Sequence, residues 1–322
     1  MSDLVLNRHN PFLSRPTRAP NGPALAGNEA VEYFIRESLS ENTRQAYRSD
    51  LAHFTAWGGT LPATPEAVAR YLAEHADSLA TATLSRRVAT LSKAHAANGW
   101  SNPCRNELVR ATLRGIKRVK GTAQDQAKPL LREDLFLVLD ALGDDPRSLR
   151  DRALLLIGWA GGFRSSELTG LNLSDIEEVR EGLILHQRKS KTDQTGQGRK
   201  IGIPLGRTRH CPVAALSAWL DGRAQPESRV FRSVDRHGNM RGDLLRPDAV
   251  STILRDRLAG AGIEPEGYSG HSLRAGLATS AIKAGVPTYK VRAQTGHASD
   301  VMLARYVRDA GLFDGNAAGV LL

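Results

Sequence analysis

Little in this chain of 322 residues points to a metal, a nucleotide or a disulfide scaffold. It holds only two cysteines, Cys104 and Cys211, far apart and without Cys-x-x-Cys spacing. Neither a disulfide framework nor a cysteine zinc site is expected, and a reducing, cytoplasmic compartment fits. No His-Glu-x-x-His or aspartate pair marks a metal nuclease, so no metal is expected. No Gly-x-x-x-x-Gly-Lys-Ser/Thr loop marks an ATP site, and Ser165-Ser166 lacks a Gly-x-Ser-x-Gly elbow, so no cofactor is expected either. The most apolar run, 153–160, is far too short to span a bilayer, and the first residues lack the apolar core of a signal peptide. No membrane partner is expected.

What the chain does have is basic charge. Hydrophobic residues make up 41% and charged residues 24%, ordinary for a globular protein, but the formal charge is +10 and the pI about 9.9. Such an excess favours a polyanionic partner. The length suffices for two domains, each with its own core.

Residues 1–28 carry four prolines and several arginines without apolar period, and read as a flexible basic arm. From 29 the pattern turns helical. Helices are expected at 29–39, from the Ser40 cap to 57, from the Thr64-Pro65 start, at 81–98 and near 105–117. In the second of these, Tyr47, Leu51 and Phe54 make one apolar stripe, and Gly58-Gly59 ends it. Residues 29–118 therefore read as an all-helical domain. Arg44, Arg48, Arg86, Arg87 and Lys93 lie off its apolar stripes, and recurrence on several helices makes them candidates for phosphate contact. Lys117, Arg118 and Lys120 lead into a polar, basic linker, 119–128, which could itself lie along a DNA backbone.

Residues 129–322 open with helices at 132–142 and 149–160. Gly161-Gly162 breaks the second, Arg164 follows the break, and Ser165 restarts a helix. Strands are expected at 183–187 and 200–203 around a Gly-rich turn, with Lys189, Lys191, Arg199 and Lys200 crowding this hairpin, of which Lys189, Arg199 and Lys200 are candidates for DNA contact. Helices follow at 213–221, 247–258, 273–284, 288–295 and about 300–307. The fold class is mainly α with a small antiparallel sheet, in two domains.

The chemistry concentrates in five residues: Arg164 in Gly-Phe-Arg-Ser-Ser-Glu-Leu, His271-x-x-Arg274, Thr-Gly-His297, and Tyr306. Phosphodiester exchange without metal needs cations on the nonbridging oxygens, a nucleophile in line, and an acid for the leaving oxygen. Arginine's planar fork suits the first task and keeps its charge. A phenol, with pKa near 10, attacks and leaves more readily than an aliphatic alcohol. Lysine or histidine suits the third. Singly, each residue is weak evidence: a tyrosine on an amphipathic helix is more often core than nucleophile. The ordered set is far less expected by chance.

That set resembles the tyrosine recombinases, the phage integrase family with its Cre- and Xer-like site-specific recombinases, over nearly the whole chain. The resemblance implies a SAM-like core-binding domain over 29–118 and an α+β catalytic domain over 129–322, together a clamp around double-stranded DNA. It implies that Arg164 and Arg274 hold the scissile phosphate, that Tyr306 becomes linked to the 3′ phosphate, and that His271 and His297 handle protons. A hairpin lysine, Lys191 with Lys189 as the fallback, would protonate the 5′ oxygen. Glu167 would orient His271 or Arg164. The apolar tail residues Val320, Leu321 and Leu322 would pack into a neighbouring subunit of a homotetramer exchanging strands through a Holliday junction. Two further readings share the motifs: a type IB topoisomerase that relaxes supercoils, and a non-catalytic DNA-binding regulator.

Overall fold

The computed structural model describes residues 27–122, 126–187, 198–221, 229–297, 299, 303 and 306. The chain divides into two compact units, Met1–Gln124 and Asp125–Leu322.

The first unit is helical: α1 (Gly27–Glu37), α2 (Glu41–Ala56), α3 (Pro65–Glu74), α4 (Thr81–Ala97) and α5 (Glu107–Lys120), with a 3-10 turn at Pro103–Arg105 before α5. The starts are chemical. Ser40 accepts the Thr43 N–H ahead of α2, and Thr64 accepts the Ala67 N–H ahead of α3, where Pro65 stands at the first position. Leu51, Phe54, Val68, Tyr71, Leu72, Leu84, Leu91 and Val109 form the core. All five expected helices are present, with two corrections at their edges. α1 begins two residues inside the stretch read as a basic arm, whose residues 1–26 lie outside the described residues. α5 runs on through Val119 and Lys120, into the expected linker, because nothing before Gly121 stops it.

Two arginines also depart from expectation. Arg44 and Arg87 are 6% and 8% exposed. Helical period explains both: Arg44 shares a face with Tyr47 and Leu51, and Arg87 with Leu84 and Leu91. Each brings acids to the core edge. Arg44 is held by Glu41 at 2.7 Å and Glu37 at 3.5 Å. Arg87 bonds the Tyr71 hydroxyl and His53 Nδ1 and lies 3.6 Å from the buried Asp50 carboxylate.

The second unit is built around α7 (Pro146–Ala160), which packs against α9 (Pro212–Asp221), α11 (His271–Lys283) and the short α8 (Ser165–Thr169). α6 (Arg132–Asp140), α10 (Ala249–Gly260) and α12 (Thr288–Thr295) complete the helices. The core runs through Leu135, Leu154, Leu155, Ile157, Phe163, Leu168, Trp219, Leu254 and Leu273. A three-stranded antiparallel sheet, β1 (Ile176–Val179), β2 (Gly182–Gln187) and β3 (Arg199–Pro204), lies in that order. Its register pairs Leu183 with Ile203, Leu185 with Ile201, and Gln187 with Arg199. Alternation buries Leu183, Leu185, Gln187, Ile201 and Ile203 and leaves Lys200 exposed.

The mainly helical fold with its small sheet agrees with the sequence. β1, and a hairpin of β4 (Arg232–Val234) with β5 (Met240–Leu244), did not announce themselves. β1 reads Ile-Glu-Glu-Val, a span too short and charged to alternate, and only its ladder to β2 makes it a strand. Of the helix expected near 300–307, Leu303 and Tyr306 are described and both are helical.

Candidate active site

α7 stops at Gly161-Gly162. Gly162 takes φ +59°, and a Cβ there would sit 2.9 Å from Thr295 Cγ2, so this turn needs glycine both for its backbone and for the approach of α12. The turn delivers Arg164 just ahead of α8. Glu167, one turn on, accepts the Arg164 backbone N–H at 3.0 Å and its Nη1 at 2.5 Å. Of the two partners expected for Glu167, it takes Arg164. The carboxylate both closes the start of α8 and fixes the guanidinium.

α11 carries His271 at its first residue and Arg274 one turn later, on the same face. Arg274 is 1% exposed. Its Nη1 donates to the Gly162 carbonyl at 2.8 Å and to the Thr295 carbonyl, so one guanidinium joins the turn after α7 to the end of α12. Its Nη2 is buried and has no hydrogen-bond partner among the described residues. A buried donor left empty costs about 1–3 kcal/mol, more when charged, and such a cost points to a missing acceptor.

α12 ends at Thr295. Gly296, left-handed at φ +68°, turns the chain so that His297 follows. The Thr295 hydroxyl donates to the Val291 carbonyl at 2.7 Å, so toward His297 Nδ1, also 2.7 Å away, it can only accept. The ring therefore carries its proton on Nδ1 and presents a bare Nε2. Tyr306 packs with Ala278, Val291 and Leu303, its ring 5.7 Å from that of His297. Its hydroxyl lies 3.1 Å from His271 Nε2.

The electrostatics follow from this crowding. Burial first, then the charges of Arg274 and Arg164, pushes His297 down to about 3. His271 is lowered by the same three causes; its surface is exposed, but all three act in one direction. Both imidazoles are neutral at pH 7. Burial, followed by the charge of Arg164, lowers Arg274 to about 10, with Glu167 opposing and Arg199 adding to the effect. Among the described residues, three guanidinium groups thus share the field of one carboxylate. Such a pocket can hold an anion, take a proton from a phenol, and keep both histidines ready to accept one.

Five residues named from the sequence, Arg164, His271, Arg274, His297 and Tyr306, are brought together. Thr295, buried and bonded to both Arg274 and His297, was missed as a site residue; only its place in Thr-Gly-His hinted at it. Lys191 and Lys189, and the tail residues Val320, Leu321 and Leu322, lie outside the described residues. Arg199 does not stand with the exposed hairpin charges. Its fork is spent on Gln187 and on two carbonyls of α12. The remaining basic candidates stay on the surface of their own units. Lys93, Arg118 and Lys200 are exposed and Lys117 half-buried, while Arg48, Arg86 and Lys120 pair with Glu41, Asp50 and Asp77. Among the described residues no cluster of His, Cys, Asp or Glu is placed to hold a metal, and no helix is long and apolar enough to cross a membrane.

Arginines, histidines and a phenol thus gather around one buried guanidinium in the second unit, a set of groups suited to phosphate chemistry. Residues 128–311 match the phage integrase family, and residues 31–100 match the phage integrase N-terminal SAM-like domain. An integrase/recombinase xerD homolog of Selenomonas ruminantium is 36% identical over 293 residues, covering 88% of this chain and 86% of that one. Among solved structures, a XerH site-specific recombinase bound to a palindromic difH substrate superposes with a TM-score of 0.62 at 18% identity, covering 91% of this chain and 82% of that one. A lambda integrase tetramer bound to a Holliday junction gives 0.61 at 20% identity, covering 87% and 75%. The chain belongs to the phage integrase family of tyrosine recombinases, enzymes that break and rejoin DNA.

Proposed function

We propose that this protein cuts and rejoins DNA at specific sites through a covalent 3′-phosphotyrosyl link at Tyr306. The scissile phosphodiester lies with its nonbridging oxygens on Arg164 and on the Nη2 that Arg274 leaves empty. His271 Nε2, at hydrogen-bond distance from the phenol, takes its proton. The Tyr306 oxygen bonds to phosphorus as the bond to the 5′ oxygen breaks. A hairpin lysine, Lys191 or Lys189, gives that leaving oxygen its proton. His297 stands beside the phosphate. The anion's charge raises its basicity, so that Nε2 can gain a proton and donate to the phosphate. Attack on the tyrosyl ester by a 5′ hydroxyl from another strand reverses each step. The ester keeps the bond energy, so neither metal nor ATP is required. The solved lambda integrase tetramer on a Holliday junction supports strand exchange by four protomers. The resemblance to the family further implies that the tail residues Val320, Leu321 and Leu322 contact a neighbouring protomer. Arg48, Arg86, Lys93, Lys117, Arg118, Lys120 and Lys200 are the candidates to carry the DNA backbone.

The observation that carries the reading is the 3.1 Å approach of Tyr306 to His271 inside an arginine cluster. The test begins with a duplex selected by binding from a random-sequence pool and nicked at successive positions. Wild type should leave a protein–DNA adduct after denaturation, attached at a 3′ end, and Tyr306→Phe should leave none. An adduct that survives in Tyr306→Phe, or none with wild type on bound DNA, ends the proposal. Strand exchange between two duplexes, rather than relaxation of a supercoiled circle alone, separates a recombinase from a topoisomerase.

A further inference from the structure

Arg199 stands at the root of the β2–β3 hairpin, in the last rung of its ladder, opposite Gln187. Its side chain is not turned outward. Nε and Nη2 both donate to Gln187 Oε1, at 3.2 and 2.8 Å. Nη1 donates to the carbonyls of Ala293 and Gln294, at 3.2 and 2.7 Å. Those are the closing carbonyls of α12, which a helix end leaves without partners of its own. A cation there also suits the helix dipole. A second and independent sign is Gly296. A Cβ on it would lie 2.8 Å from the Arg199 guanidinium, so the residue just before His297 is packed flat against that fork. Gln294 adds a strap of its own, donating to the carbonyls of Ala160 and Gly202 at 2.9 and 3.0 Å, and so ties the same turn to α7 and β3.

We propose that Arg199 is a positioning residue for the reaction: it fixes the turn that presents His297 and locks that turn to the root of the hairpin. The inference rests on the proposed function above for its catalytic meaning, though not for its geometry. Two groups that must act on one phosphate, His297 and the hairpin lysine, then share a single anchor. Its place in the basic hairpin made Arg199 a candidate for DNA contact. A guanidinium that already donates four hydrogen bonds within the protein has little left to offer DNA.

The test compares Arg199→Lys and Arg199→Met with wild type. Lysine keeps the charge but cannot reach Gln187 and two carbonyls together, so both variants should behave alike. With no DNA present, amide exchange at Gly296, whose N–H closes on the Arg292 carbonyl, should speed up by about tenfold or more. Adduct formation on the selected nicked duplex should slow by about 10–100-fold, the range seen when a supporting contact is removed. Binding of that duplex and its salt dependence should not change.

A slope of log affinity against log salt that falls by about 0.9 in the methionine variant alone, with exchange at Gly296 unaltered, makes Arg199 a phosphate contact and overturns the inference. Wild-type rates of both exchange and cleavage overturn it as well. Should the methionine variant unfold, as thermal unfolding would show, the lysine variant carries the test. If wild type itself forms no adduct, the proposed function fails, while the exchange measurement still decides whether Arg199 holds the His297 turn.

Discussion

The arginines of the helical core and those around Tyr306 are treated in opposite ways, while Arg150, buried elsewhere in the second unit, pairs with Asp151 as the helical unit's arginines pair with their acids. In the helical unit Arg44 faces Glu37 and Glu41, and Arg87 shares Asp50 with Arg86. Each cation there has a carboxylate beside it, although Asp50 serves two arginines and Arg87 Nε is buried without a hydrogen bond, and the charge serves the fold. In the second unit Arg164, Arg199 and Arg274 surround Glu167, and Arg274 keeps a buried Nη2 without a partner among the described residues. Their surplus is held in place by carbonyls, which orient a guanidinium without cancelling its charge. A buried arginine is thus a stability element or a functional one according to whether its partners neutralise it.

The sharpest break of that comparison comes at the nucleophile. Tyr306→Phe should lower adduct formation by ~10^4-fold or more while leaving duplex affinity intact, as a denaturing gel and a binding titration would show together. Arg274→Met should come next, at ~10^2–10^3-fold in cleavage, the usual loss for one preorganised donor on a developing charge. Because it removes a buried cation that lacks a counter-ion, its cost in stability should be smaller than that of Arg87→Met. The latter leaves Asp50 with Arg86 and Thr90 only, and should cost about 1–3 kcal/mol in urea unfolding. The opposite order would refute the distinction between the two clusters.

Acid offers a gentler probe. His297 takes a proton near pH 6.5 when unfolded but only near 3 when folded, so between those values the unfolded chain binds the extra proton. Above pH 6.5 the residue contributes nothing to the pH dependence. Below it the DNA-free protein loses stability steadily as pH falls toward 3. Urea midpoints at pH 7 and pH 5 should therefore differ less in His297→Asn than in wild type. The smallest effect belongs to the surface. Lys117→Ala and Arg118→Ala should each flatten the salt dependence of duplex binding by ~0.9 in slope, with folding undisturbed. Arg44→Ala should do the reverse, weakening the fold with no change of slope.

How much of this was legible in the sequence depended on the kind of signal. Helix starts were legible where a cap chemistry marks them, as at Ser40 and Thr64-Pro65. The gathered residues Arg164, His271, Arg274, His297 and Tyr306 were legible only as an ordered set, since each alone has ordinary structural uses. Strands β1 and β4–β5 were not: their partners are close in sequence, but the strands are short and charged residues interrupt any apolar alternation. The roles of single arginines were the least legible. Arg87 could have been placed by its helical period with Leu84 and Leu91. Arg199 could not, because what decides its role is a pair of carbonyls almost a hundred residues away.

Under the proposed function, the cluster around Tyr306 grips features common to every phosphodiester in any duplex. Its guanidinium groups, imidazoles and phenol read charge and geometry, and none of that differs between an A·T and a G·C step. The reaction centre is therefore blind to sequence, and the choice of site has to be made by surfaces outside it. Chemistry and address can then change independently. Under the same proposal, new target sites would arise through substitutions elsewhere in the chain while the cluster around Tyr306 stays as it is.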